Sequence, residues 1–332
     1  MKDNFNNFID LASGKIGGKV LYATDEFFAE KENLIKPGRG VFLPDRYTDR
    51  GKWMDGWETR RRRTPGHDWC IVRLGAPGMI RGLDIDTHHF IGNHPPFAAV
   101  EGLYSDSEPA DWCDADNLPW QTILKKSPLQ PGSQNLFAVR NASVFSHLRL
   151  HIFPDGGVAR FRAYGEVHRD WSKISENDLL DLAMVTNGGR ALICNDMFFS
   201  AMENLILPAP AQNMGDGWET KRSRNPDNVD WVILRLGYPG MVQKIIVDTR
   251  HFKGNYPAAC AIDACYSASD ENVIKDAVEW TCLLNRQKLE ADREHIFESD
   301  AINAHGPVSH VKLKIYPDGG ISRLRIFGCI RH

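Results

Sequence analysis

The chain is one sequence written twice. Residues 10–34, DLASGKIGGKVLYATDEFFAEKENL, return at 181–205 as DLAMVTNGGRALICNDMFFSAMENL. MDGWETRRRRTP (54–65) returns as GDGWETKRSRNP (215–226), DWCIVRLGAPGM (68–79) as DWVILRLGYPGM (230–241), and DTHHFIGNHP (86–95) as DTRHFKGNYP (248–257). Each copy closes on a PDGG segment, SHLRLHIFPDGGVARFRAYG (146–165) and SHVKLKIYPDGGISRLRIFG (309–328), with eleven of twenty positions identical. Equivalent residues stay about 160–170 positions apart. That spacing is a whole domain, not the short unit of a solenoid. The expected boundaries are 1–170 and 171–332. Copy one carries an insertion, KPGRGVFLPDRYTDRGKW (36–53), where copy two has only LPAPAQNM (207–214).

Each copy reads as strands. Leu148, Leu150 and Ile152 alternate with Arg149 and His151, and after the PDGG turn Ala159, Phe161 and Ala163 alternate with Arg160 and Arg162. Copy two repeats this with Val311, Leu313 and Ile315, then Ser322, Leu324 and Ile326. The pattern predicts a hairpin with one apolar and one wet face. CIVRLG, GLDIDTH and AAVEGLYS add short strands bounded by Gly and Pro. The expected fold is all-β: two tandem antiparallel β-sandwich (jelly-roll) domains. Between the copies, SENDLLDLA predicts a short helix capped by Ser175 and carrying Leu179, Leu180 and Leu182.

Charge narrows the partners. Lys plus Arg number 40 against 43 Asp plus Glu, a formal charge of −3, which offers no field for nucleic acid or an anionic membrane. A small anion needs only one or two local arginines. Seven cysteines without a CxxC pair read as reduced thiols. The first residues carry no apolar h-region and no apolar run is long enough to span a bilayer. The expectation is a soluble, cytoplasmic protein. No G-x-S-x-G, HExxH or P-loop motif is present, so covalent and cofactor routes have no support.

The ordered blocks GGK, ATDEFFA, DGWETRR, RLG, DTxHFxGNxP and PDGG, in both copies and from about residue 8 to 328, resemble the allantoicase family. The resemblance implies a pair of jelly rolls of the galactose-binding type assembled into a homo-oligomer. It also implies hydrolysis of allantoate to ureidoglycolate and urea, in purine catabolism. Breaking a C–N bond of allantoate requires a cation or a backbone N–H cluster for its carboxylate, polar partners for its ureido groups, and one or two acid–base side chains, or a metal to activate the water instead.

Three blocks could supply these groups. In DGWETRRRR, Glu58 and its counterpart Glu219 are candidate acids or bases, Trp57 a wall, and Arg61, Arg63, Arg222 and Arg224 forks for a carboxylate. The same block also reads as a charged edge strand that resists aggregation. In DTxHFxGNxP, alternation from Leu83 and Ile85 sets Thr87 and His89 on the apolar face, and Asp86 and His88 on the other. His89 and His251 are then either core-rim histidines or proton-transfer groups. Asn93 and Asn255 are either turn residues or amides for a urea group. Asp86 and His88 form an i, i+2 pair able to ligate a metal, in copy one only, because Arg250 stands in the second position of copy two. The sequence requires no cofactor, and a divalent metal is the one addition this pair allows. In PDGG, Asp155 and Asp318 read as turn residues before anything else.

Glu58/Glu219, His89/His251 and Asn93/Asn255 are shared, whereas the insertion, with Arg39, Asp45, Arg46, Asp49 and Arg50, is not. The expectation is one competent site per chain, near the junction of the copies or a subunit interface, with copy two contributing a wall. The alternative of another class is a non-catalytic tandem sandwich binding a carbohydrate through Trp53, Trp57 and Trp69. A third is a degenerate scaffold, against which stand the motifs intact in both copies.

Overall fold

The organising element of the first copy is one 19-residue strand, Asp68–Asp86. In the computed structural model, which describes residue 5 and residues 8–109, 111–298 and 300–331, the chain divides into two units meeting between His168 and Arg169. In the first unit the long strand has two apolar-alternating halves joined by Gly75-Ala76-Pro77-Gly78. The ladder slips at that joint: Arg73 opposes His147 and Gly78 opposes Phe145. Each half therefore takes different neighbours within one eight-stranded sheet. Residues 70–73 pair with Lys19–Ala23 on one side, and residues 68–73 with Val144–Phe153 on the other. Phe97–Leu103 and then Gln121–Pro128 extend that sheet. The second half pairs with Gln134–Ala138 and with Arg160–Val167, beyond which lies Ile9–Asp10. Every pairing is antiparallel. The fully buried Cys70, Val72, Leu83, Ile85, Leu148, Leu150, Phe161 and Ala163 supply the apolar face of these strands.

The second unit repeats the plan on Asp230–Asp248. One half pairs with Arg190–Cys194 and Val308–Tyr316, extended by Ala259–Cys265 and Thr281–Lys288. The other pairs with Glu294–Phe297 and Arg323–Ile330, with Leu180–Asp181 at the edge. Apart from 3₁₀ turns, the helix among the described residues is the five-residue Asp270–Ile274. The all-β tandem architecture is as expected.

Two local expectations fail. Arg149, His151, Arg160 and Arg162, assigned to a wet face, are all buried. The second face of each sheet is covered as well, and its charges are neutralised in place. Arg149 bonds Glu101 and Asp116, beside an outer cluster of Ile71, Leu103, Trp112 and Ala115. Arg160 and Arg162 stand opposite Asp86 and Asp84 in the ladder and bond to carbonyls of residues 36–39. The Ser175 helix is also absent. Ser175 Oγ accepts from Asn177 N–H and Asp178 accepts from Ser175 N–H, closing a turn, after which Leu180–Asp181 joins the sheet. Sheet hydrogen bonds outweigh the propensity of so short a helix. All seven cysteines are unpaired.

Candidate active site

All three candidate blocks converge in the first unit. Trp57–Glu58 is a two-residue strand paired with Gly157–Val158 of the PDGG turn, and Glu58 is pinned on its other side by Ala29. Phe90, fully buried, lies on the bare backbone of Gly56 and Gly157: a Cβ at those positions would come within 2.6 and 2.0 Å of its ring. Only glycine admits the ring. The Gly157 N–H donates to the Asn93 carbonyl at 2.8 Å, and this fixes the turn after Phe90. The Asn93 side-chain amide then donates to Glu58 Oε1 at 2.7 Å.

His89 does not continue the strand. The ladder ends at Asp86, Thr87 is buried with its hydroxyl donating to Gln130 O, and His89 takes φ of 69°. A left-handed residue breaks the alternation. His89 therefore leaves the core face, and its ring lies tilted against Phe42 of the insertion at 5.4 Å and against His88 at 3.8 Å. Its ring has no hydrogen-bond partner among the described residues.

Glu58, His89 and Asn93 line one pocket of about 380 Å³, together with Phe28, Phe42, Lys52, Met54 and Ile91. Burial raises the Glu58 carboxyl above its ordinary pKa, and the Asn93 hydrogen bond offsets this in part. The pocket thus holds an acid whose pKa is raised, an imidazole without a hydrogen bond among the described residues, an amide and one cation. Every lining residue belongs to the first unit. Phe42 and Lys52 are not distinguishable in the sequence beyond lying in the one segment that copy two lacks. There Tyr47–Thr48 pairs with Gly51–Lys52 as a small hairpin, and the Lys52 ammonium lies 4.4 Å from the Phe42 ring centre.

The second unit keeps the pair and loses the setting. Asn255 donates to Glu219 Oε1 at 2.5 Å and His251 has φ of 73°. The His251 ring is engaged, however, with Nε2 2.8 Å from the Ala211 carbonyl, and Met214 Sδ lies 3.8 Å from the Asn255 amide.

Other candidates go elsewhere. Trp57 is fully buried and its indole N–H donates to Asp25 O, as does Trp218 to Asp196 O. Trp69 packs on Tyr22 and Trp53 carries the Arg46 guanidinium, so the three tryptophans sit in separate settings. In the arginine run it is Arg60 and Arg62 that find carboxylates, Asp25 and Asp68. Arg61, Arg63, Arg222 and Arg224 are exposed, and the first two do not line the pocket. Arg61→Ala and Arg63→Ala are each expected to leave KM within about twofold, read from initial rates. Asp155 and Asp318 accept from Arg62 N–H and Ser223 N–H, a turn role. Asp86 is not open as a metal ligand. Arg39 donates to both of its oxygens at 3.0 Å, and His88 N–H donates to Oδ1 as well. In the second unit Arg250 Nε donates to Asp248 Oδ2, and its own backbone N–H to Oδ1.

Comparison with known proteins follows this geometry. The family description "Allantoicase repeat" matches residues 9–168 and again 180–331. A probable allantoicase of Photobacterium profundum is 49% identical over 98% of this chain and 97% of its own length. Probable allantoicase 1 of Burkholderia mallei is 46% identical over 97% and 95%. Among solved structures, allantoicase from Saccharomyces cerevisiae superposes with a TM-score of 0.80 at 39% identity, covering 96% of this chain and 92% of that one.

Proposed function

The chain belongs to the allantoicase family, and we infer that it is a hydrolase cleaving one C–N bond of allantoate to give ureidoglycolate and urea. The observation that carries the site assignment is the meeting of Glu58, His89, Asn93 and Lys52 in one pocket of the first unit. Lys52 meets the substrate carboxylate. Asn93, its amide held on Glu58, offers its carbonyl to a ureido N–H. Glu58, whose carboxyl burial raises above its ordinary pKa, in its acid form donates its proton to the nitrogen of the departing urea as the C–N bond breaks. His89 takes a proton from the water whose oxygen becomes the hydroxyl of ureidoglycolate. One water is consumed, and the protons balance when His89 returns its own to Glu58 through solvent.

The direct test incubates the purified protein with allantoate, with and without chelator, and assays urea. Urea release in both conditions is expected, and no urea in either removes the assignment. Activity lost only with chelator would add a divalent metal to the chemistry above.

A homo-oligomer and a cytoplasmic location belong to the same proposal. The first is supported by the exposed Met197, Phe198 and Phe199 of the second unit, the second by seven unpaired cysteines. No helix among the described residues is long and apolar enough to cross a membrane. Sedimentation equilibrium tests the assembly: a monomer at micromolar concentration would overturn it.

A further inference from the structure

Position 88 sets the two units apart. In the second unit Asp248 ends the long strand, and the residue opposite it in the ladder is Glu294. Arg250 serves both carboxylates, Nε donating to Asp248 Oδ2 at 2.8 Å and Nη2 to Glu294 Oε1 at 2.6 Å. In the first unit the residue opposite Asp86 is the uncharged Gln134. Asp86 itself is covered by Arg39, which the insertion supplies and which donates to both carboxylate oxygens. A cation at position 88 is then superfluous, and a histidine stands there.

The His88 ring goes to its neighbour. In a strand successive side chains point to opposite faces, but the left-handed backbone of His89 brings the two imidazoles together. Their centroids lie 3.8 Å apart with the planes tilted at 45°. The start of this turn is held by Asp86, whose Oδ1 accepts from His88 N–H at 2.9 Å.

The histidine that follows differs accordingly. His251 has the same left-handed backbone but an arginine before it, and its Nε2 lies 2.8 Å from the Ala211 carbonyl. The His89 ring lies against His88 and Phe42 and has no hydrogen-bond partner among the described residues. A carbonyl restrains an imidazole by occupying a nitrogen. Ring contact restrains it and leaves the nitrogens open, which is what a group that takes a proton requires.

We propose that His88 is a positioning residue of the Glu58 pocket: released from charge neutralisation by Arg39, its imidazole holds the His89 ring in place with both nitrogens free. The inference rests on the reading of His89 as proton acceptor, and it adds a side chain that is not itself among those lining the pocket.

The test is a double-mutant cycle on allantoate turnover, comparing His88→Ala, His89→Gln and the two combined. His88→Ala is expected to lower kcat about three- to tenfold and to leave KM within about twofold. His88→Phe, a ring without nitrogens, should bring kcat back to within about twofold, and His88→Gln, a polar chain without a ring, should not. In the His89→Gln background the loss of His88 should cost nothing further, because its effect passes through His89. An equal loss in both backgrounds would overturn the positioning role and leave His89 as the acceptor. Rescue by glutamine and not by phenylalanine would also overturn it, placing the role of His88 in its bond to the Gly132 carbonyl. Full activity in His89→Gln would sink the acceptor reading and the positioning role together. A readout without turnover is carbethoxylation of His89 by diethyl pyrocarbonate, followed by peptide mass mapping. Faster modification of His89 is expected in His88→Ala than in the unmodified protein or His88→Phe. An unchanged rate would overturn the ring contact whatever the kinetics show.

Discussion

Glu58→Gln is expected to lower kcat on allantoate by about 10²–10⁴-fold, whereas Glu219→Gln is expected to leave it within about threefold. Both glutamates carry the same asparagine partner, so pairing alone does not separate them. Their surroundings do. The His89 ring has no hydrogen-bond partner among the described residues and lies against Phe42 and His88, while His251 is hydrogen-bonded to a peptide carbonyl. Lys52 and Phe42 come from the insertion, which the eight residues 207–214 do not replace. The pH dependence carries a sign. Burial raises Glu58, so its acid form persists to higher pH than that of a free carboxyl. kcat/KM should then decline as pH rises through that pKa. Glutamine cannot ionise, so the residual rate of Glu58→Gln should lack this decline. Steady-state kinetics of both variants across pH decide the matter. Equal partial losses would mean two working sites per chain.

Sequence alternation revealed the strands but not what lies on either side of them. Period 2 separates two faces and says nothing of whether the second is solvated. The buried Arg160 and Arg162 were legible in principle, since Asp84 and Asp86 repeat the same alternation with opposite charge and stand opposite them. The site was legible as three blocks and not as roles. Alternation puts His89 on the wrong face because the count runs three residues past the ladder, which ends at Asp86, into a left-handed turn. Trp57 and Arg61 were favoured by residue type, yet the indole went to the core and the guanidinium to water. Phe42 and Lys52 were missed because an insertion has neither periodicity nor a counterpart to compare. What did carry through was the duplication: residues kept in both copies built the Glu–Asn pair, and the segment kept in one built the pocket around it.

The same comparison isolates the anchor of that segment. Arg160 is 3% exposed. Its guanidinium donates to the carbonyls of Gly38, Arg39 and Asp55 and to the Asp55 carboxylate at 2.6 Å. Asp55 in turn accepts from Val41 N–H, so Arg160 ties the start of the insertion to the sheet, alongside Arg162 on the Lys36 and Gly38 carbonyls and the Arg39–Asp86 pair. In the second unit Arg323 makes the equivalent bonds to Ala209 and Asp216. Arg160→Met keeps the volume but leaves Asp55 charged and buried, which costs about 3–5 kcal/mol. For a unit of this size that corresponds to a melting point lowered by roughly 2–4 °C per kcal/mol. Arg323→Met should destabilise its own unit by a similar amount. The two variants should part on activity. At a temperature where both remain folded, Arg160→Met frees the segment that brings Phe42 and Lys52 to Glu58, and kcat/KM should fall at least about tenfold. Arg323→Met anchors nothing that reaches that pocket and should retain its rate. Calorimetry and kinetics on the same preparations separate the two effects. If Arg160→Met lost stability yet kept full activity, the insertion would be a structural cover and not a wall of the site.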